Sequence, residues 1–510
     1  MRTIILVTLV LFQVCFVKGQ TSLKEINLKN GAYNVGFKHY TMIDSTRLYR
    51  IEQDFNNQYI NRPIPISIWY PAEIKNSTTK HLTVLDYLEI LKEEEEWENL
   101  PTEFLLDWFP YLWNTPKNNA HLSEKVSAFS DTDFLDGKFP VIVYAASYQN
   151  SSIENFALFE YLASNGFVVI SSPSRGTDSR WLEGATTKEM ETQSRDVEFL
   201  LKEIHKYKSI DFNRIALMGF SFSGQSNAIT VMKNNNISAL VSLDGAERYD
   251  YPVLEKSPYF DLDRLNIPYI HFAQKEIPEE VLVSDKIPAE LNYKYQLYDS
   301  LKYSNAYSYK FNDLSHSYFS TFGVLFANRD KRQDKSDAEI MASYKLLSQH
   351  TLQFLNATLK NEENAKAFIE NSPDKNGFPE NLLTKKMKKS LESEFDYKDF
   401  FDIALNQNYQ NLIPLYQKTI KEHPKLQLKE WMLNKKGQRL SLNLSKMEQS
   451  VNVFLLGLHI YPKSANLYDS LALAYFYNQD FENAIINYKK SLELDSENQN
   501  AIDTLKKLEE

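Results

Sequence analysis

The stretch Arg214-Ile-Ala-Leu-Met-Gly-Phe-Ser-Phe-Ser-Gly-Gln-Ser226 constrains the fold more than any other part of this 510-residue chain. An apolar run, Ile215 to Met218, stops at small residues around a serine and then resumes at helical spacing. That is the layout of a nucleophile elbow. In an elbow the serine occupies a strained strand-to-helix turn, and its neighbours must be small enough for strand and helix to pack together. Here those neighbours are Gly219, Ser223 and Gly224, so the strict Gly-x-Ser-x-Gly pattern breaks at its last position and glycine follows one residue later. A serine-rich loop without chemistry has the same composition, so the motif needs its context.

The context lies downstream. Hydrolases of this architecture carry nucleophile, acid and histidine in the chain order Ser, Asp or Glu, His, each on a loop after a successive strand. After Ser221 the short apolar run Ile237 to Leu243 reads as a buried strand ending at Asp244-Gly245, although Asp-Gly is also a common turn pair. Pro268-Tyr-Ile-His-Phe272 is the next strand, and Tyr309 to Tyr318 then places His316 in a polar loop. A serine hydroxyl needs an adjacent imidazole to take its proton and a carboxylate to hold that imidazole in the right tautomer. Ser221, His316 and Asp244 fit those roles. The backbone N–H groups of Phe222 and of Tyr148, on an earlier loop, are the expected oxyanion donors. His271, inside a strand, reads as structural.

These residues carry a resemblance. The run Gly219-Phe-Ser-Phe-Ser-Gly224, Asp244 placed 23 residues after Ser221, and His316 with Phe319 behind it resemble the plasma-type platelet-activating factor acetylhydrolase family of the α/β-hydrolases, a group similar to dienelactone hydrolases. Tyr33-Asn-Val-Gly-Phe37, Asp44-Ser-Thr-Arg47 and Arg62-Pro-Ile-Pro-Ile-Ser-Ile-Trp-Tyr-Pro-Ala72 extend the likeness, which covers roughly residues 30 to 360. It implies an exported esterase acting on a small or lipid-like ester. The chain departs from the family after Phe139-Pro-Val-Ile-Val-Tyr144, where relatives carry His-Gly and this chain has Ala145-Ala-Ser-Tyr-Gln149.

The remaining segments set the organisation. Residues 1–19 read as a signal peptide, with Arg2 before an apolar run too short to span a bilayer comfortably. Its removal takes away Cys15, the one cysteine, and with Arg2 and Lys18 shifts the net charge from −10 to −12. An exported, cysteine-free, acidic chain fits a periplasmic or secreted location in a bacterial envelope, excludes a disulfide framework and argues against nucleic acid. No transmembrane span remains after cleavage. Asn76 and Asn150 stand in chance Asn-x-Ser/Thr matches.

Alternating strand and helix patterns over residues 20–360 imply a mainly parallel sheet with helices on both faces, the α/β class. Within it, residues 84–130 form an aromatic-rich helical insertion, with a helix expected over Leu85 to Leu100. It is either a lid over an acyl pocket or a helical pair packed on the sheet. Residues 361–400 read as a connector. Residues 401–510 match tetratricopeptide spacing: Tyr468, Leu471, Ala472 and Tyr475, then Phe481, Ala484, Tyr488 and Leu492, with Pro462 and Ser496 one 34-residue period apart. An all-α repeat domain offering a protein or peptide partner a groove is expected there. No His-x-x-x-His pair and no glycine-rich phosphate loop occurs, so neither metal nor cofactor is expected. Three functions stay open: an ester hydrolase, a degenerate hydrolase serving as a binding scaffold, and a peptidase or acyltransferase using the same residues.

Overall fold

The computed structural model describes residues 21–51, 58–75, 79–109, 111–130, 132–391 and 395–509. Residues 1–19, expected to be a signal peptide and carrying Cys15, and Asn76 lie outside them. The chain divides into two units, the first ending at Leu391 and the second beginning at Glu392.

The first unit is built on twelve strands among the described residues: β1 (Asn34–Arg50), β2 (Tyr59–Glu73), β3 (His81–Thr83), β4 (Lys125–Ser130), β5 (Asp133–Phe134), β6 (Phe139–Ala145), β7 (Val168–Ser172), β8 (Ile210–Phe220), β9 (Ala239–Leu243), β10 (Tyr269–Ala273), β11 (Ala306–Phe311) and β12 (Leu383–Lys388). They form one sheet in the order β12-β11-β10-β9-β8-β6-β7-β2-β1-β4-β3, with β5 on β2. From β7 to β11 every pairing is parallel, while β2 runs antiparallel to both β1 and β7. The exchange of β6 and β7 relative to chain order, with the second strand reversed, is the sheet of an α/β-hydrolase.

The central strands are apolar on both sides because both faces are covered. Helices Phe156–Ser164 and Asp337–Leu359 pack one face with Ile142, Met218 and Ile270, and helices Thr187–Glu203 and Ser223–Lys233 pack the other with Val141, Leu217 and Leu240. The long helix starts at a capping box, Ser336 with Glu339, which satisfies two amides that no helical carbonyl can reach.

Two elements differ from the sequence reading. The helix expected over Leu85 to Leu100 is two short ones, Val84–Leu88 and Ile90–Glu94, followed by Glu96 at a left-handed φ of 61°. The cause is the carboxylate run, whose members are all bound to partners outside the segment. Glu93 meets Thr41 and His39, Glu94 meets Ser151 and Ser152, Glu95 meets Arg180 at 2.6 Å, and Glu96 accepts from the Tyr49 hydroxyl at 2.5 Å. A continuous helix would point these four groups around its axis and away from partners gathered on one side. Most apolar side chains of the insertion, including Tyr87, Leu91, Leu106 and Leu112, are core residues.

The connector expected over 361–400 is also structured up to Leu391. Helix Glu363–Glu370 buries Ala365 and Ile369, and β12 pairs antiparallel with β11 from Leu383 to Lys388, covering that edge of the sheet. Lys385, Lys386 and Lys388 concealed the strand, since its pattern is the lysine-rich one typical of an edge.

The second unit is all helical from Tyr397 onward. Its helices Met447–Ile460, Ala465–Tyr477 and Phe481–Leu494 coincide with the repeat-like segments, and Ala472, Ala484 and Tyr488 share one small core with Ala501 and Leu505 of a further helix, Gln499–Glu509.

A chain ending at Leu391 should therefore melt cooperatively as a soluble protein. A chain ending near residue 375 lacks β12 and leaves β11 an open edge, so it should aggregate or melt several degrees lower by circular dichroism. Equal melting of the two would show that β12 contributes nothing.

Candidate active site

All the sequence-predicted groups sit where parallel strands end at their carboxyl side, the usual place for a site in such sheets. Ser221 follows β8 directly, in a left-handed conformation with φ 57°. For a residue with a Cβ that costs about 1 kcal/mol or more, and the surroundings enforce it. The Ser221 N–H donates to Leu243 O at 3.1 Å, while its carbonyl accepts from Gly224 at 3.1 Å and from Ala246 at 2.8 Å. The turn is tight enough that a Cβ on Gly219 would strike Ser223 Oγ and Asn227, and one on Gly224 would strike the Glu247 carboxylate. Ser223, the break in the motif, fits because its Oγ donates back to Phe220 O at 2.8 Å.

Asp244, one residue beyond β9, is also left-handed, with φ 43°, and fully buried. His316 opens a short 3-10 turn, His316–Phe319, after β11. Its Nδ1 lies 2.6 Å from Asp244 Oδ2 and its Nε2 lies 2.9 Å from Ser221 Oγ. The other Asp244 oxygen accepts from the Gln274 amide at 3.0 Å, and the Gln274 side chain in turn accepts from the His316 N–H at 3.1 Å. Burial by itself raises the Asp244 carboxyl, but the guanidinium of Arg248, 3.6 Å away, and the bond from His316 outweigh it and hold the group at about 2. It is an anion at neutral pH. Nδ1 thus carries the proton that Asp244 accepts, and Nε2 is left to accept from Ser221.

His271, inside β10, is elsewhere. It is buried beneath the site, with Nδ1 3.0 Å from Ser242 Oγ and 3.2 Å from Glu247 Oε1. Burial raises Glu247, yet the His271 bond outweighs it and keeps the carboxylate low, as in a structural ion pair.

Neither of the expected oxyanion amides, on Phe222 and Tyr148, has a hydrogen-bond acceptor among the described residues. The two rings meet edge to face at 5.8 Å. The loop that carries Tyr148 has no glycine, and the structure shows what replaces it. Gln149 takes a left-handed φ of 52° and is pinned by its own carboxamide, which donates to Arg180 O and accepts from Leu182 N, both at 2.9 Å. Below it, the buried Glu154 accepts from the Ser147 amide at 2.7 Å, the Ser147 hydroxyl at 2.6 Å and the Tyr144 hydroxyl at 2.7 Å. Glu94 receives the hydroxyls of Ser151 and Ser152. Burial pushes Glu154 up to about 7 despite these donors, with the nearby Glu94 charge adding to the rise.

A cavity of about 450 Å³ opens beside Ser221 and His316, walled by Tyr111, Trp113, Tyr148 and Phe322. Tyr111 and Trp113 are thus the part of the insertion that lines the same cavity as Ser221.

No protein-family model and no curated protein matches the chain. Among solved structures, it is similar to a ferulic acid esterase from Streptomyces cinnamoneus, at 15% identity and a TM-score of 0.48, over 70% of this chain and 97% of that one.

Sequence reasoning missed the supporting residues. Glu94 and Gln274 act through partners distant in sequence, while Glu154 with Ser147 and Arg248 with Asp244 are short-range pairs that lie outside the motifs. The upstream motifs have a comparable role. Arg47 and Arg62 share Asp196, with Arg62 also donating to the carbonyls of Arg175 and Gly176, which fixes the loop that Gln149 grips.

Glu154 gives a pH prediction. Its carboxyl ionises near 4.5 in the unfolded chain and near 7 when folded, so the native state holds an extra proton between those values and stability falls as pH rises through that window. Glu160, also held at about 7 by burial, has the same sign. Glu154→Gln should flatten part of this slope and raise Tm by a few degrees at pH 8 while changing little at pH 4. Glu154→Ala, which strands three donors, should cost both stability and at least tenfold in ester turnover.

Proposed function

We propose that the protein is a serine hydrolase of carboxylic esters, working through an acyl-enzyme. The observation that carries this reading is the continuous chain Ser221 Oγ, His316 and Asp244, joined at 2.9 and 2.6 Å with the hydroxyl on a strained turn. As Oγ attacks the ester carbonyl carbon, His316 Nε2 takes its proton and Asp244 stabilises the imidazolium. The carbonyl oxygen becomes an anion facing the Phe222 and Tyr148 amides. Collapse expels the alcohol with the proton from Nε2, and water, deprotonated by the same nitrogen, then releases the acid and restores Ser221. Besides ester and water, these steps use only side chains and backbone amides of this chain.

The motif likeness to platelet-activating factor acetylhydrolases supports esters over amides within this reading. The intact relay, with its acid buried and ionised, favours an enzyme over a scaffold. The tetratricopeptide spacing of the second unit supports a role in holding a protein or peptide partner, and the leader pattern of residues 1–19 supports export.

A fluorophosphonate should label Ser221 alone, and labelling that persists in Ser221→Ala would sink the assignment. His316→Ala should lower kcat by a factor of order 10⁴ on p-nitrophenyl acetate with the fold intact by circular dichroism. His271→Gln should keep most of its rate wherever it folds. The reverse pattern would require a different base.

A further inference from the structure

A second cavity, of about 320 Å³, adjoins the first at His316. His316, Ser317 and Asn328 line both, whereas Ser221 lines only the larger. In an acyl-transfer site the acyl group stays bonded to the serine, while the departing oxygen must lie at the nitrogen that protonates it. The larger cavity, next to Ser221 and the Tyr148 amide, is therefore the acyl side. The smaller one lies where the alcohol leaves.

The chemistry of the smaller cavity is distinctive. Ile277, Ile287 and Leu291 make an apolar wall. Two carboxylates lie on its rim, but both are occupied: Asp334 by Ser315 at 2.5 Å and by Tyr318, and Asp330 by Arg332 at 2.7 Å. Their oxygens are already engaged by donors of the protein itself, Asp334 also by the Asp330 N–H at 2.7 Å. The Ser317 hydroxyl and the Asn328 carboxamide, both exposed, bond to no other described residue. Tyr249 also lines this cavity. Burial and the Asp244 charge push its phenol up, so it stays protonated and can donate. These are neutral donors and acceptors beside an apolar wall.

We propose that the cavity lined by Tyr249, Leu291, Ser317 and Asn328 is the leaving-group subsite, and that it takes an uncharged, hydroxyl-bearing alcohol of several carbons, while the aromatic cavity takes an apolar acyl group. The proposal rests on the ester-hydrolase reading. It makes the preferred substrate an ester bulky at both ends, with polarity concentrated in the alcohol. Because the subsite is open, the discrimination gained from its hydrogen bonds is moderate, of order tenfold, and not the far larger ratio of an enclosed polar site.

The test uses the full-length protein and three benzoate esters: methyl, propyl and 2,3-dihydroxypropyl. The last two share a carbon skeleton and differ in two hydroxyls. The expected result is that kcat/KM for the dihydroxypropyl ester exceeds that for the propyl ester by about tenfold. Leu291→Trp, which fills the cavity, should lower the ratio of dihydroxypropyl to methyl ester at least tenfold. Asn328→Leu, at an exposed position, should bring the dihydroxypropyl and propyl rates together even if the first variant fails to fold. Methyl benzoate turnover with ratios that neither variant moves would overturn the subsite and leave the hydrolase reading standing. No turnover of any ester together with no fluorophosphonate labelling of Ser221 would overturn that reading itself.

Discussion

The first unit depends on one steric condition: where β8 becomes the helix Ser223–Lys233, a Cβ on Gly219 would meet Ser223 and Asn227 of that helix, and one on Gly224 would meet Glu247 and Gly245 from the loop after β9. The condition holds Ser221 in a left-handed turn, and the turn lifts the hydroxyl clear of the sheet. It also fixes the neighbourhood. Ala246, just past β9, bonds the Ser221 carbonyl, so the loop that begins with Asp244 is registered to Ser221 by backbone alone. The imidazole is then placed by Asp244 and Gln274, from β9 and β10, and not by its own strand.

The sequence made the central site legible because each of its members obeys a local rule. Ser221 stands among small residues, Asp244 ends an apolar run and His316 follows the last of the parallel strands. The same rules found β6 to β10, whose uninterrupted apolar character reports burial on both faces. What escaped was whatever depends on distant partners. Glu93 to Glu96 reads as a solvated helical face, yet every one of the four has a partner outside its own segment, on β1 or in the loops after β6 and β7. β12 escaped for the opposite reason, since its lysines are what an exposed edge calls for.

The buried charges share a logic with the elbow. After β6 this chain has no glycine but larger residues and a left-handed Gln149, and the loop's shape is held by carboxylates that bind its serines. Glycine would allow the conformation; Glu94 and Glu154 impose it. Imposition has a thermodynamic cost, visible in a Glu154 carboxyl that burial pushes to about 7. The free Phe222 and Tyr148 amides gain a fixed backing without any side chain entering the space in front of them.

The segment from His316 to Asn328 walls both cavities at once, with Ser317 and Asn328 common to the two. The helix Thr321–Phe326 adds Phe322 and Gly323 to the larger cavity alone, while the turn before it reaches both. On the proposed ester-hydrolase reading, a substitution at Ser317 or Asn328 alters the acyl and alcohol ends together, whereas one at Trp113 or Leu291 alters a single end.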